Sequence, residues 1–340
     1  MRLLRNFLRD RPNQIVLSVF VGTFGYSAAG LFEVGVSGGE RVTEFPRFAV
    51  TVAVGLLFLS LGLLVFFADH LAHSIQVDQV LRVVERETLE VISTLPTGGE
   101  PTPLPPPDAH VVPAAASGYV QAVYMAELVR TAVRRRAHIR LRPRVGEHVV
   151  AGSALAWAWP VEPDRPGLRD EAARRIDAAV TDAVRIGFER TLEQDPGLGM
   201  RQLCDAACKA LSPAINDPYT AIQAVEHLTV LYVALATEPP GELSARAQGC
   251  AVAIPNRSFA EHLALGVGLI RRYGAAEPTV VAALLRLLTA TLEVCGRVPE
   301  QRAAIVEQAD LLVSAARREV AEPADLALVH AQRAVLDTAL

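Results

Sequence analysis

A strongly apolar stretch runs from Phe48 to Ala68 and reads FAVTVAVGLLFLSLGLLVFFA, without a charged residue. At a rise of about 1.5 Å per residue, such a helix is roughly 32 Å long, which matches the hydrocarbon core of a bilayer. A second uncharged stretch, from Gln14 to Phe32, reads QIVLSVFVGTFGYSAAGLF. The sequence therefore predicts a two-helix transmembrane hairpin within residues 1–75, with spans at about 14–32 and 48–68.

A cleaved signal peptide is the alternative explanation of the first stretch, because basic residues precede it and small residues end it. Its apolar run is longer than that of a typical signal peptide, and a second span follows after about fifteen residues, so the hairpin is favoured. The segment before the first span is more basic than the loop between the spans, which predicts a cytoplasmic N-terminus. Two crossings then leave the C-terminus and everything after about Ala68 in the cytoplasm. The basic residues are Arg2, Arg5, Arg9 and Arg11.

The composition excludes several classes of protein. Hydrophobic residues make up 51% of the 340 residues, and the formal net charge of -4 gives no overall electrostatic reason to bind nucleic acid. Lys209 is the single lysine, and such an excess of arginine is typical of a GC-rich bacterial genome. We therefore expect a multi-pass protein of the bacterial plasma membrane that contacts the lipid bilayer. The four cysteines are too scattered for a disulfide framework.

Small residues recur at helical spacing within both spans, which is typical of helix association in membranes. Two helices alone cannot enclose a water-filled path. These residues therefore predict either ordinary packing within the hairpin or a homo-oligomer that lines a pore. They are Ser18, Gly22, Gly25, Ala29, Gly55 and Gly62.

The second span is expected to continue as a projecting helix over residues 76–95, because no glycine or proline interrupts it and its apolar residues follow a helical stripe. At its base, Asp69, His70 and His73 are spaced to share one helix face. This group is either a polar collar at the membrane surface or a metal or proton site. Nothing in the sequence fixes a third ligand in place for a metal ion, so no metal and no cofactor is predicted.

Residues 96–113 are proline-rich and predict a linker. Residues 114–162 then predict a small β module of short strands with one helix, AELVRTAVRRR. The stretch HIRLRPRVGEHVVAGSALAWAWP resembles the half-repeat of a barrel-sandwich hybrid, the fold of biotinyl and lipoyl carriers. Those carriers attach their prosthetic group to a hairpin lysine, and this segment contains none, so a carrier function is excluded.

Residues 163–340 predict a cytoplasmic α-helical bundle. The first helix is expected to run through LRDEAARRIDAAVTDAVRIGFERTLEQ as far as the break at Asp195-Pro196-Gly197. Further helices are expected after Asp217, from Ser258 to Tyr273, and in three segments that begin at Pro278, Pro299 and Pro323. The fold class is thus mainly α, with the hairpin, the small β module and this bundle.

Several segments together carry a family resemblance. The stretches RNFLRDRPNQIVLSVFVGTFGYS, HLAHSIQVD, IGFERTLEQDPGLGMRQLCDAACKALSPAINDPYTAI and SFAEHLALGVGLIRRYGAAEP look like those of the bacterial predicted membrane proteins grouped as DUF2254. The resemblance implies a membrane location and this architecture, but no reaction. Members generally have a further pair of transmembrane helices before the first segment, so the chain is expected to be one hairpin short of them.

The segment SPAINDPYT, from Ser212 to Thr220, has the densest polar chemistry. It predicts a turn between two helices, in which side-chain oxygens cap the second helix. The alternative is a ligand or partner site, because a helix N-terminus with nearby polar side chains binds anions. The residues of this hypothetical site are Arg201, Ser212, Asn216, Asp217, Tyr219 and Thr220, with Arg190 as a further candidate.

No catalytic residue is predicted. The GVSGG stretch at 35–39 spells a hydrolase motif, but it lies between two membrane spans and not at a strand-to-helix turn. Cys204 and Cys208 lie one helical turn apart and favour apolar packing over metal binding. The favoured function is a membrane-anchored binding, scaffold or regulatory protein of unknown ligand. A channel or transporter component is the alternative, and an enzyme built around the Ser212–Thr220 turn is the third hypothesis.

Overall fold

A computed structural model of the protein describes residues 11–35, 47–74, 77–95, 102–162, 168, 170–237, 241–295 and 298–340. The chain divides into two compact units, Met1–Val80 and Leu81–Leu340. The helices of the described part are α1 (Arg11–Gly35), α2 (Arg47–Ser74), α3 (Val77–Thr94), α4 (Met125–Arg135), α5 (Asp170–Ala183), α6 (Pro196–Ala210), α7 (Pro218–Thr237), α8 (Phe259–Gly274), α9 (Pro278–Cys295), α10 (Pro299–Glu319) and α11 (Pro323–Ala339).

The strands form two small sheets in the second unit. They are β1 (His110–Pro113), β2 (Gly118–Val123), β3 (Ala137–Leu141), β4 (His148–Val149), β5 (Ala154–Pro160), β6 (Val184–Gly187), β7 (Leu243–Ala247) and β8 (Cys250–Ile254). One sheet has the order β1-β5-β3-β8-β7, and β3 and β8 are its parallel pair. The other has the order β4-β2-β6. The structure is therefore mostly helical, with a small mixed sheet beside a smaller antiparallel one.

The strands and the helix expected between residues 118 and 160 are present as β2, α4, β3, β4 and β5. The expectation that residues 163–340 form a purely helical bundle is wrong, because β6, β7 and β8 lie within this range. α5 ends at Ala183, and β6 then pairs with β2 through Val120↔Ile186 and Val123↔Val184. The β-branched residues of β6 gain a partner strand there, and this tertiary contact outweighs the local preference for helix.

The hairpin of β7 and β8 is the second difference. Its two-residue turn is Gln248-Gly249, and both residues have positive φ, 50° and 79°, as a type I′ turn requires. β8 is buried at all five positions, which is typical of a strand inside a sheet with parallel pairing. The sheet of β3 and β5 also contains β7 and β8, which lie outside residues 114–162. The resemblance of residues 114–162 to a barrel-sandwich half-repeat therefore stays a prediction.

The Leu81–Leu340 unit has two hydrophobic cores. One lies within the sheets and under α4 and α5, where Leu128, Ile139, Leu155 and Ile176 are buried. The other is helical, lies among α3 and α6–α11, and includes the fully buried Tyr232. The loop between β6 and α6 joins elements of the two cores, and the candidate site lies there.

Among the described residues, three helical segments are long and apolar enough to cross a membrane. They are Arg47–Phe67 in α2, Pro218–Thr237 in α7 and Pro278–Cys295 in α9. Only 6% of the α2 segment is buried within the protein, against 39% for α7 and 67% for α9. Burial in the helical core explains the apolar character of α7 and α9. Burial within the protein does not explain that of α2, whose apolar side chains suit contact with another apolar environment.

Candidate functional site

The Ser212–Thr220 turn forms the helix cap that its sequence predicts. The Asp217 carboxylate accepts hydrogen bonds from the Thr220 backbone N–H, at 3.1 Å, and from the Thr220 hydroxyl, at 2.5 Å. These bonds favour the charged form and lower the pKa of Asp217. Asn216 has a φ of 48°, a left-handed conformation that asparagine tolerates better than most residues. The segment therefore terminates α6 and begins α7.

The other residues of that hypothetical site do not converge. The Ser212 hydroxyl donates to the Lys209 carbonyl at 2.8 Å, and the Tyr219 side chain is 80% exposed. Arg201 pairs with Asp205 on the surface of α6 and lies eleven residues before Ser212, a distance of about 16 Å along a helix. A ligand site at this turn stays a prediction.

The other predicted polar groups give no metal site. The side chains of Asp69, His70 and His73 lie outside the described residues. In the part of the chain that is described, no three His, Cys, Asp or Glu side chains are grouped closely enough to hold a metal ion. Burial raises the pKa of Cys204 and that of Cys208, the latter to about 11, so both thiols are protonated at neutral pH.

Several charged side chains of the second unit lie around Asp195, just before α6. Its side chain is 4% exposed, and the Arg190 guanidinium contacts its Oδ2 through Nη2 at 2.6 Å and Nε at 2.9 Å. Arg144, from the loop between β3 and β4, donates to both carboxylate oxygens of Glu261 at 2.9 and 3.0 Å. Arg257 precedes α8 and is half-buried. We call Arg144, Arg190, Asp195, Arg257, Glu261 and His262 the arginine cluster.

Two glycines allow these groups to approach. Gly146 has a φ of 83°, and a Cβ there would lie 2.1 Å from the Asp195 Oδ2. A Cβ on Gly197 would contact Asp195 Oδ1 at 3.2 Å, Arg257 Nε at 3.4 Å and His262 Cε1 at 3.5 Å. Side chains from two segments, the loop before α6 and the start of α8, therefore meet around the backbone of Gly197.

Burial dominates the electrostatics of the arginine cluster. Burial raises the pKa of Asp195, although Arg190 and Arg257 oppose the shift. Burial and the neighbouring Arg144 lower the pKa of Arg257. His262 is 4% exposed, and burial, reinforced by Arg257, lowers its pKa to about 4. The imidazole is thus neutral at physiological pH and can both donate and accept a hydrogen bond.

A pH-dependent stability follows from His262. An unfolded histidine titrates near 6.5, so the stability due to its low folded pKa is complete above pH 6.5 and is lost as the pH falls to about 4. We expect a loss of about 2–3 kcal/mol across this window for the wild type. His262→Gln should flatten the pH dependence of thermal unfolding, whereas His330→Gln, at an exposed position, should leave it unchanged. Equal slopes for wild type and His262→Gln would contradict the assignment.

A cleft of about 850 Å³ opens in the same unit. Much of its wall is apolar, with Val123, Met125, Ala126, Ala179 and Ala183 among the lining residues. A second cavity of about 20 Å³ adjoins it and is lined by Arg144, Asp195, Arg257 and His262 of the arginine cluster. We call the two cavities the wide part and the narrow part of the cleft. Both parts are lined by Leu95, Val145, Gln194, Leu243 and Ile254. The wide part has the size of a small-molecule site, and the arginine cluster lies at one end of it.

Sequence reasoning missed this site. The sequence identifies Asp195-Pro196-Gly197 only as a helix break, and it assigns no role to His262. The signal that was present is the family resemblance itself, because two of its segments contain Asp195 and His262. Their proximity depends on contacts between distant parts of the chain, which spacing along one helix does not reveal.

Comparisons with known proteins give a consistent assignment. Residues 1–290 match the family described as "Predicted membrane protein (DUF2254)". The chain is 42% identical over 341 aligned positions to the uncharacterized protein Rv1290c of Mycobacterium tuberculosis (strain H37Rv) and to the uncharacterized protein Mb1321c of Mycobacterium bovis. These alignments cover 96% of this chain and 64% of each relative. No solved structure matches significantly.

Proposed function

We propose, from the premise that the chain belongs to the DUF2254 family of predicted membrane proteins, that it is a membrane-anchored protein whose cytoplasmic unit binds a small molecule. The anchor is the pair α1 and α2, with 25 and 28 residues. At about 1.5 Å per residue, the 21-residue apolar segment of α2 matches the roughly 30 Å of a hydrocarbon core, and the apolar segment of α1, Ile15–Gly30, is shorter, at about 24 Å. In the proposed orientation both termini face the cytoplasm of a bacterium, as the arginines before the first span predict.

Two hydrogen bonds between α1 and α2 support their pairing as a transmembrane hairpin. The Thr23 hydroxyl donates to the Val19 carbonyl at 2.8 Å, so Ser60 supplies the hydrogen of the 2.9 Å bond between Ser60 Oγ and Thr23 Oγ1. Tyr26 OH donates to the Ala49 carbonyl at 3.1 Å. Large apolar side chains elsewhere on the two helices are exposed, such as Phe24 at 77% and Phe58 at 67%, and suit contact with lipid.

The cleft is the observation that supports the binding of a small molecule. It is large, partly apolar and bordered at one end by convergent polar groups, which is the usual composition of a ligand site.

Filling the cleft tests the proposal. The full chain, purified in detergent, would be incubated with dodecanol as an apolar probe, and bound probe would be counted by native mass spectrometry. Ala179→Trp places an indole in the cleft and should abolish binding. Ala178→Trp is the matched control, because Ala178 is the exposed neighbour on α5 and does not line the cleft. Equal binding by the two variants would contradict the proposal.

An oligomeric channel component is the second candidate, and the glycines of the spans favour it. A Cβ on Gly22, Gly25, Gly55 or Gly62 would meet nothing within 4 Å, so the packing of α1 against α2 leaves these positions open. These open glycine positions suit the close approach of helices from other copies of the chain. Ion flux through liposomes that contain the purified protein, abolished by Gly55→Leu or Gly62→Leu, would support this role. Absence of flux from a verified oligomer would contradict it.

A further inference from the structure

We propose that the arginine cluster recognises the oxyanion of an amphiphilic ligand, a carboxylate or phosphate group whose apolar body occupies the wide part of the cleft. The inference rests on the proposed function, since it names the ligand class of the same cleft. It starts from Arg257, which lines the narrow part and is half-buried. Within the described residues, no carboxylate lies within 4 Å of its guanidinium, although Asp195 is close enough to attract it. Arg257 therefore has donors available for a ligand.

His262 supplies an independent observation. Its imidazole lines the narrow part, is 4% exposed, and forms no hydrogen bond to another described residue. Its Nδ1 is buried and unpaired. A buried polar atom without a partner is costly, so a ligand that offers an acceptor to the imidazole N–H, beside Arg257, would satisfy it.

The charges of the arginine cluster favour an anion. Arg190 neutralises Asp195, and Arg144 is bound by Glu261. His262 is neutral at physiological pH. Three arginines and two carboxylates then leave one formal positive charge, which belongs to Arg257. An oxyanion would compensate this charge and accept charge-assisted hydrogen bonds from the guanidinium.

The shape of the cleft favours an amphiphile over a simple ion. The narrow part, about 20 Å³, is little more than a water molecule requires, so only the end of a ligand fits there. The wide part, about 850 Å³, accommodates an apolar body. Two of its acidic residues, Glu127 and Glu193, are about half exposed and pair with Arg130 and Arg185, so they do not oppose an anion in the narrow part.

The experiment compares head groups on one chain length. Laurate, dodecyl phosphate and dodecanol would be titrated against the full chain in the same detergent, with inorganic phosphate as a competitor, and bound ligand counted by native mass spectrometry. We expect laurate or dodecyl phosphate to bind about tenfold tighter than dodecanol or better. The preferred head group identifies a fatty-acid or a lipid-phosphate source. Displacement of dodecyl phosphate by inorganic phosphate at a similar concentration would show that the apolar body contributes nothing, and would overturn the inference of an amphiphilic ligand.

Variants separate recognition from folding. Arg257→Gln should remove the preference for the anionic probes while dodecanol still binds, and Arg257→Lys should retain part of it. Arg286→Gln is the control, because Arg286 is exposed on α9 and does not line the cleft. Equal affinity of the wild type for all three probes would overturn the inference and leave the proposed function intact. Binding of none of the three would overturn both.

Discussion

Gly266→Ala is expected to lower the free energy of unfolding of the Leu81–Leu340 unit by about 3 kcal/mol. A Cβ at this position would lie 2.1 Å from the Tyr232 hydroxyl oxygen and 3.4 Å from the Cys204 Sγ. Tyr232 is fully buried and donates to the His262 carbonyl at 2.7 Å. Its rigid ring cannot withdraw without breaking that bond and displacing α7 from α8.

Gly268→Ala is the matched control on the same helix. A Cβ there would meet only the Gln308 Oε1, at 3.9 Å, and alanine favours helix over glycine by up to about 1 kcal/mol. Thermal unfolding of the full chain in detergent, followed by circular dichroism, should show a decrease in Tm of roughly 6–12 °C for Gly266→Ala. Gly268→Ala should keep or raise the Tm. Similar Tm values for the two variants would contradict the packing described for α8.

Asp195→Asn is expected to have the next largest effect, a loss of about 3 kcal/mol. The substitution keeps the shape of the side chain but removes the counter-charge of Arg190 and the attraction on Arg257. Because the Asp195 side chain is 4% exposed and that of Arg190 21%, water can replace the lost interaction only in part. An arginine left without its buried partner is destabilising.

Asp205→Asn provides the comparison, because it also breaks a pair with an arginine. Asp205 and Arg201 are 56% and 48% exposed, so this pair should contribute less than about 1 kcal/mol. Thermal unfolding of both variants, measured as above, should show a clear decrease in Tm for Asp195→Asn alone. Equal changes would mean that the Arg190–Asp195 pair is no more important than a surface pair.

Much of the helical architecture could be predicted because its signals are local. Pro278, Pro299 and Pro323 each begin the helix expected of them, and Asp217 caps α7. β7 and β8 were not predicted. Their Gln248-Gly249 turn lacks the asparagine or aspartate typical of such hairpins, and the alanine-rich β8 becomes a strand through pairing with β3.

The candidate site was less predictable than the fold for the same physical reason. The Ser212–Thr220 turn attracts attention because its polar residues are consecutive, yet their visible role is a helix cap. Arg144, Asp195 and His262 are separated by long stretches of sequence and meet only when the sheet and the helical core assemble. Their number and type are ordinary, and only their burial together distinguishes them.

Photo-crosslinking with a diazirine analogue of a fatty acid tests whether the cleft binds a ligand, because it locates the ligand on the full chain within membranes. We expect labelled peptides from the cleft, at residues 123–134 and 243–254, and loss of this labelling in Ala179→Trp but not in Ala178→Trp. Labelling confined to α1 and α2 would show contact with bilayer lipid alone and would contradict a ligand-binding cleft.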